Sequence, residues 1–83
     1  HQLGVFPNPN NGQFSVRLLT ENNDLKILEV SVFDQLGREN TRLREDTFTS
    51  NEVSLNIQNS ARGIYVLRIL TNKGIVTKKI LVQ

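Results

Sequence analysis

The chain contains no cysteine, no methionine, no tryptophan, a single tyrosine and a single histidine. Each scarcity removes a class of chemistry. Without cysteine no disulfide staples the fold, and neither a zinc–thiolate centre nor a thiol nucleophile can be built. The histidine is residue 1, His1, so a Ser/His or Thr/His pair has no base within the body of the sequence. No His-x-x-x-His or comparable ligand spacing occurs, which removes the usual metal-hydrolase pattern. A glycan-binding face generally wants exposed aromatics, and the chain lacks tryptophan altogether. No phosphate-cradling glycine loop and no Asn-x-Ser/Thr acceptor is present. No apolar run approaches the roughly 20 residues of a membrane-spanning helix.

Charge points nowhere in particular either. The formal net charge is +2, but the basic residues are scattered and several sit beside acids, as in Arg38-Glu39 and Arg44-Glu45-Asp46. Nucleic-acid surfaces need clustered Lys/Arg with stacking aromatics, so that partner is not expected. The carboxylates Asp24, Glu29, Asp34, Glu39, Glu45, Asp46 and Glu52 fall in loops or on wet strand faces, with no paired acid and base. Glu21, Asn22 and Asp24 lack the twelve-residue calcium-loop pattern. The residues therefore imply no catalytic group, no metal site and no cofactor. An enzyme is not expected.

What is present is a series of short strands. Eighty-three residues make one domain, 1–83, that buries about 60 % of the surface its unfolded chain exposes. Such a chain reads as a module cut from a longer protein. Its strongest signal is the stretch from Gly63 to Gln83, two β-branched and aromatic runs around the turn Thr71-Asn72-Lys73-Gly74. In the first run Tyr65, Leu67 and Ile69 alternate with Ile64, Val66, Arg68 and Leu70. With apolar residues on both faces, it belongs in the middle of a sheet. In the second run Ile80 and Val82 face inward while Lys79 and Gln83 stay wet.

Upstream, Leu3–Phe6 is a short apolar run halted by Pro7-Asn8-Pro9-Asn10-Asn11-Gly12, a stiff corner in which proline fixes φ and Asn-Gly favours a left-handed turn. Gln13–Leu19 alternates with Phe14, Val16 and Leu18 inward. Lys26–Asp34 forms a third strand with Leu28, Val30 and Val32 expected on the core face. Asp34–Arg38 is a turn in which Gly37 supplies positive φ and Leu36 is expected to fold back onto the core. Arg38–Asp46, charged and weakly alternating, suits an exposed edge strand, where a weak homodimer is conceivable. A polar connector, 47–52, leads to Val53, Leu55 and Ile57, which alternate again. No sustained helical period occurs. The expectation is all-β: an immunoglobulin-like β-sandwich of about seven antiparallel strands, with the Tyr65 hydroxyl bonded to nearby backbone.

Read together, Val5-Phe6-Pro7-Asn8-Pro9-Asn10-Asn11-Gly12-x-Phe14, Val30-x-Val32-Phe33-Asp34-x-Leu36-Gly37-Arg38, Gly63-Ile64-Tyr65 and Lys79-Ile80-Leu81-Val82 resemble the C-terminal sorting domain of type IX secretion cargo (type A) from Gram-negative bacteria. The likeness spans nearly the whole chain. It departs at Leu55–Ser60, where the family often has an Asp-Leu-Ser-like turn. The resemblance implies an address for an N-terminal passenger, which passes through the periplasm and ends at the cell surface or secreted. The implied partners are an outer-membrane secretion translocon and a surface sortase. By motif position, Gly63, Tyr65, Lys79, Ile80 and Val82 carry the sorting signal, either read directly or, for Gly63, Tyr65, Ile80 and Val82, only by supporting the sandwich, while Pro7, Asn8, Pro9, Gly12 and Gly37 shape the turns. The terminal strand is expected to offer free backbone groups for β-augmentation. The competing expectation is a fibronectin-like or carbohydrate-binding accessory module of a secreted hydrolase.

Overall fold

A computed structural model describes residues 3–19, 24–44, 52–57 and 60–83. Residues 1–2, 20–23, 45–51 and 58–59, which include His1, Glu21, Asn22, the end of the expected edge strand at Glu45 and Asp46 and residues 47–51 of the connector, lie outside the described residues. Seven strands follow the alternation of the sequence: β1 (Leu3–Phe6), β2 (Gln13–Leu18), β3 (Ile27–Phe33), β4 (Glu39–Arg44), β5 (Glu52–Asn56), β6 (Gly63–Thr71) and β7 (Gly74–Val82). No helix occurs among the described residues.

The strands form two antiparallel sheets, a three-stranded one in the order β1-β2-β5 and a four-stranded one in the order β4-β3-β6-β7. Their inner faces make one core. Phe14, Val16, Val53 and Leu55 come from the first sheet, and Val30, Val32, Leu67, Ile69 and Ile80 from the second. β6 lies between β3 and β7, as its two apolar faces required. One of those faces is covered and the other is not: Tyr65, Leu67 and Ile69 are buried, whereas Ile64 and Leu70 are exposed.

Two expectations about the core need correction. Leu28 is only half-buried, and Ile27 takes the core position instead. The cause is an irregularity in the β3–β6 register, where Ile27 pairs with Thr71 and Glu29 with Leu70. One extra residue on β3 shifts the inward face by one position. Leu36 does not fold back. It stands 77 % exposed at the tip of its turn, because the Asp34 carboxylate oxygen Oδ1 accepts the backbone N–H groups of Leu36 and Arg38, both at 2.9 Å. That closes the turn on the backbone and leaves the intervening side chains outside.

The long axis is 35 Å, about the length of a nine-residue strand with its turns. At one pole lie Leu3, Leu25 and the Asn72–Lys73 turn, tied by bonds between Lys26 and Asn72 (2.8 and 3.1 Å). At the other lie the Pro7–Gly12 corner, the 34–38 turn and Gln83. The described chain thus enters at one end of the sandwich and finishes at the other.

Candidate functional site

The residues singled out by motif converge at the second pole. In the β6–β7 ladder Gly63 stands opposite Val82, Tyr65 opposite Ile80, and Val66 opposite Lys79. Alternation then separates them by face. Tyr65, Ile80 and Val82 are buried, whereas Lys79 points outward with Leu81 beside it. The Tyr65 hydroxyl donates to the Ala61 carbonyl, which satisfies its polar end inside the core edge and fixes the entry into β6. Gly63 has φ 143°, a left-handed backbone that a side chain would strain. A Cβ there would also meet the Gln35 amide at 2.8 Å.

The proline corner is more than a bend. It runs along the outer edge of β7 and is bonded to it. Asn8 Nδ2 donates to the Lys79 carbonyl at 3.2 Å, and Asn8 Oδ1 accepts the Leu81 N–H at 3.1 Å. Asn10 N–H donates to the Leu81 carbonyl at 3.0 Å, and Gln83 N–H donates to the Asn10 carbonyl at 2.8 Å. Asn10 and Val82 form a parallel bridge. A segment that follows β1 of one sheet therefore serves as a partial strand on the other.

The corner holds its own shape through Asn10, whose buried side chain donates to the Pro7 carbonyl at 3.0 Å and accepts the Gly12 N–H at 2.8 Å. Both Phe6–Pro7 and Asn8–Pro9 are cis, and Gly12 takes φ 105°. The Gly12 carbonyl accepts the Ile57 N–H at 2.7 Å, which ties the corner to the end of β5. Pro7, Asn8 and Pro9 are themselves exposed.

This limits the expected free backbone groups of the terminal strand to the part before Lys79. From Lys79 to Gln83 the outward groups are largely taken by Asn8 and Asn10. Sequence reasoning treated these asparagines as turn formers and missed their second task. No local signal announces it, because Asn8 reaches β7 through its side chain and Asn10 through its backbone, with the Asn10 side chain turned back into the corner.

Beside Gly63 lies a cleft of about 470 Å³ lined by Asp34, Gln35, Arg38, Ser60 and Arg62 among others. It gathers no chemistry. The backbone N–H of Arg38 holds the Asp34 carboxyl below its ordinary value of 3.8, with the Leu36 N–H and the Arg38 guanidinium adding to the effect. That is the signature of a capped turn, not of a general acid. Gly37, at φ 81°, completes it. On β4, Glu39 holds Arg42 at 2.6 Å and raises its pKa, while Glu29 on β3 reaches Arg44 at 3.5 Å. β4 lies at the edge of its sheet, as its mixed charge suggested, and ion pairs lace it. No group of three or more His, Cys, Asp or Glu residues that could hold a metal occurs among the described residues.

Compared with known families, residues 4–83 match the secretion system C-terminal sorting domain. No curated protein matches the chain.

Proposed function

The chain belongs to the C-terminal sorting domain family of the type IX secretion system, and from that premise we propose that the seam between β7 and the proline corner presents the signal. The coarser function follows from membership. The domain is a sorting signal for type IX secretion, attached to an N-terminal passenger, and it works with the secretion machinery. The protein that carries it is exported to the cell surface or secreted. A carbohydrate-binding module is not favoured, and the family is not a catalytic one.

The finer reading divides the motif residues by what a partner can reach. The whole of 1–83 acts as one sorting domain. Tyr65, Ile80 and Val82 are at most 5 % exposed, so they act by fixing the geometry of the seam, and Gly63 acts by admitting the backbone turn that opens β6. Lys79 is the motif residue offered to a partner, flanked on the outer sheet face by exposed Ile64 and Leu81. The partners are an outer-membrane translocon, met after transit through the periplasm, and a surface sortase. A second copy of the chain would pair weakly through the β4 edge. The observation that carries this reading is the pairing of Gly63 with Val82 and Tyr65 with Ile80 directly beneath the Asn8–Asn10 rail.

The test separates reading from folding. In the full-length cargo, Lys79→Glu should cut export severalfold while leaving the melting temperature nearly unchanged. Ile80→Ala should lower both, since an Ile→Ala change in a core costs about 2–5 kcal/mol. Normal export of the Lys79→Glu cargo would remove Lys79 from the signal.

A further inference from the structure

The rail on β7 is incomplete. Residues 79, 81 and 83 direct backbone groups to the corner. In an antiparallel ladder outward groups alternate, so those of Ile75 and Thr77, which share that parity, point the same way. Among the described residues they meet no partner, since β7 pairs only with β6 and the corner bonds begin at Lys79. We propose that this open stretch, Ile75 to Thr77, is a strand-addition site for an extended segment of the secretion machinery. The proposal rests on the sorting reading above and gives that reading a partner chemistry.

The other sheet edges are less suited. β4 is crossed by the Arg42–Glu39 and Arg44–Glu29 pairs and has a register shift at Val32/Phe33. β1 and β5, the edges of the other sheet, are only four and five residues long, and the Arg17–Glu52 ion pair crosses the start of β5. Ile75-Val76-Thr77, by contrast, is β-branched throughout, which suits an extended pleated surface, and no proline interrupts it.

The surroundings specify what the added segment carries. Beside the open edge lies a cavity of about 260 Å³ whose walls include Leu3, Leu25, Ile75 and Val76 together with Thr71, Lys73 and Gly74 of the hairpin turn, and its apolar part accepts an apolar side chain. Two residues further along β7, Lys78 is half-buried on that same inner face, opposite the fully buried Leu67. No carboxylate among the described residues lies within ion-pair distance of it. An inward lysine on an edge strand deters pairing with a second copy, which would bring another Lys78 to the same place. It favours a strand with a carboxylate there. Inner-face positions on a strand are two apart, so the segment carries an apolar and an acidic residue two positions apart, in an order set by its direction along β7, with its backbone hydrogen-bonded to Ile75 and Thr77. The corner limits its length, because the rail already occupies the edge beyond.

The experiment measures binding of the full-length protein to the outer-membrane secretion complex purified from secreting cells. Thr77→Pro removes one outward N–H without touching the β6 ladder, a position where an edge strand tolerates proline. Lys78→Glu reverses the charge that selects the partner. Each should weaken binding at least about tenfold, with a melting temperature close to that of the parent, and hydrogen exchange should show the Ile75 and Thr77 amides protected in the complex. If removing Lys79–Gln83 abolishes binding while both variants bind as the parent does, the strand-addition site is wrong and the sorting reading stands. If neither the removal nor the variants change binding, both fall. Should Thr77→Pro unfold the domain, Lys78→Glu and the exchange pattern decide. Sedimentation showing a dimer dispersed by Lys78→Glu would assign the edge to a second copy and overturn the proposal.

Discussion

At Gly63 the backbone has no room for compromise. Its φ of 143° is one that a side chain adopts only under strain, of about 1–3 kcal/mol. The Gln35 amide that would meet a new Cβ is the end of a flexible side chain and can swing aside. We therefore expect Gly63→Ala to lower the melting temperature of the domain by at least about 4 °C, and Gln35→Ala in the same background to restore little of it. Full restoration would show that crowding, not the dihedral, is what the glycine relieves. The glycine was legible as part of a motif. Its reason was not, because Gln35 is distant in sequence and nothing local announces the contact. Tyr65 was more readable: a tyrosine near the start of a late sandwich strand has few places to put its hydroxyl, and Ala61 is where it goes.

Among the elements, the strands were visible wherever alternation was clean. Phe14 and Val16, then Val53, Leu55 and Ile57, then Tyr65, Leu67 and Ile69 all face the core as their spacing required. The failures share one cause. Leu28 lost its place to Ile27 through an inserted residue, and Leu36 stayed outside because Asp34 closed its turn on backbone groups. Both depend on hydrogen bonds that period-counting cannot see. The largest omission was the corner, which reads as turn chemistry yet acts as a strand through Asn8 and Asn10. Removing the Asn10 side chain leaves the Pro7 carbonyl and Gly12 N–H without it, at a cost of about 1–3 kcal/mol. Asn10→Ala should therefore speed hydrogen exchange at the Leu81 and Gln83 amides by about tenfold, with little effect at Leu67. Unchanged exchange at Leu81 and Gln83 would mean the rail holds without its buried asparagine.

For the molecule as a whole, polarity along the long axis matters most. Leu3 sits at one pole and Gln83 at the other, so a passenger joined before Leu3 stands away from the seam where the motif residues gather. A sandwich arranged this way can show its terminal strand to the secretion machinery without the passenger in between. The account then depends on that strand being the thing recognised. Its most direct test is the distribution of full-length cargo lacking Lys79–Gln83 between periplasm and exterior. The account predicts a folded passenger retained in the periplasm, and cargo reaching the surface or medium at the parent's level would contradict it.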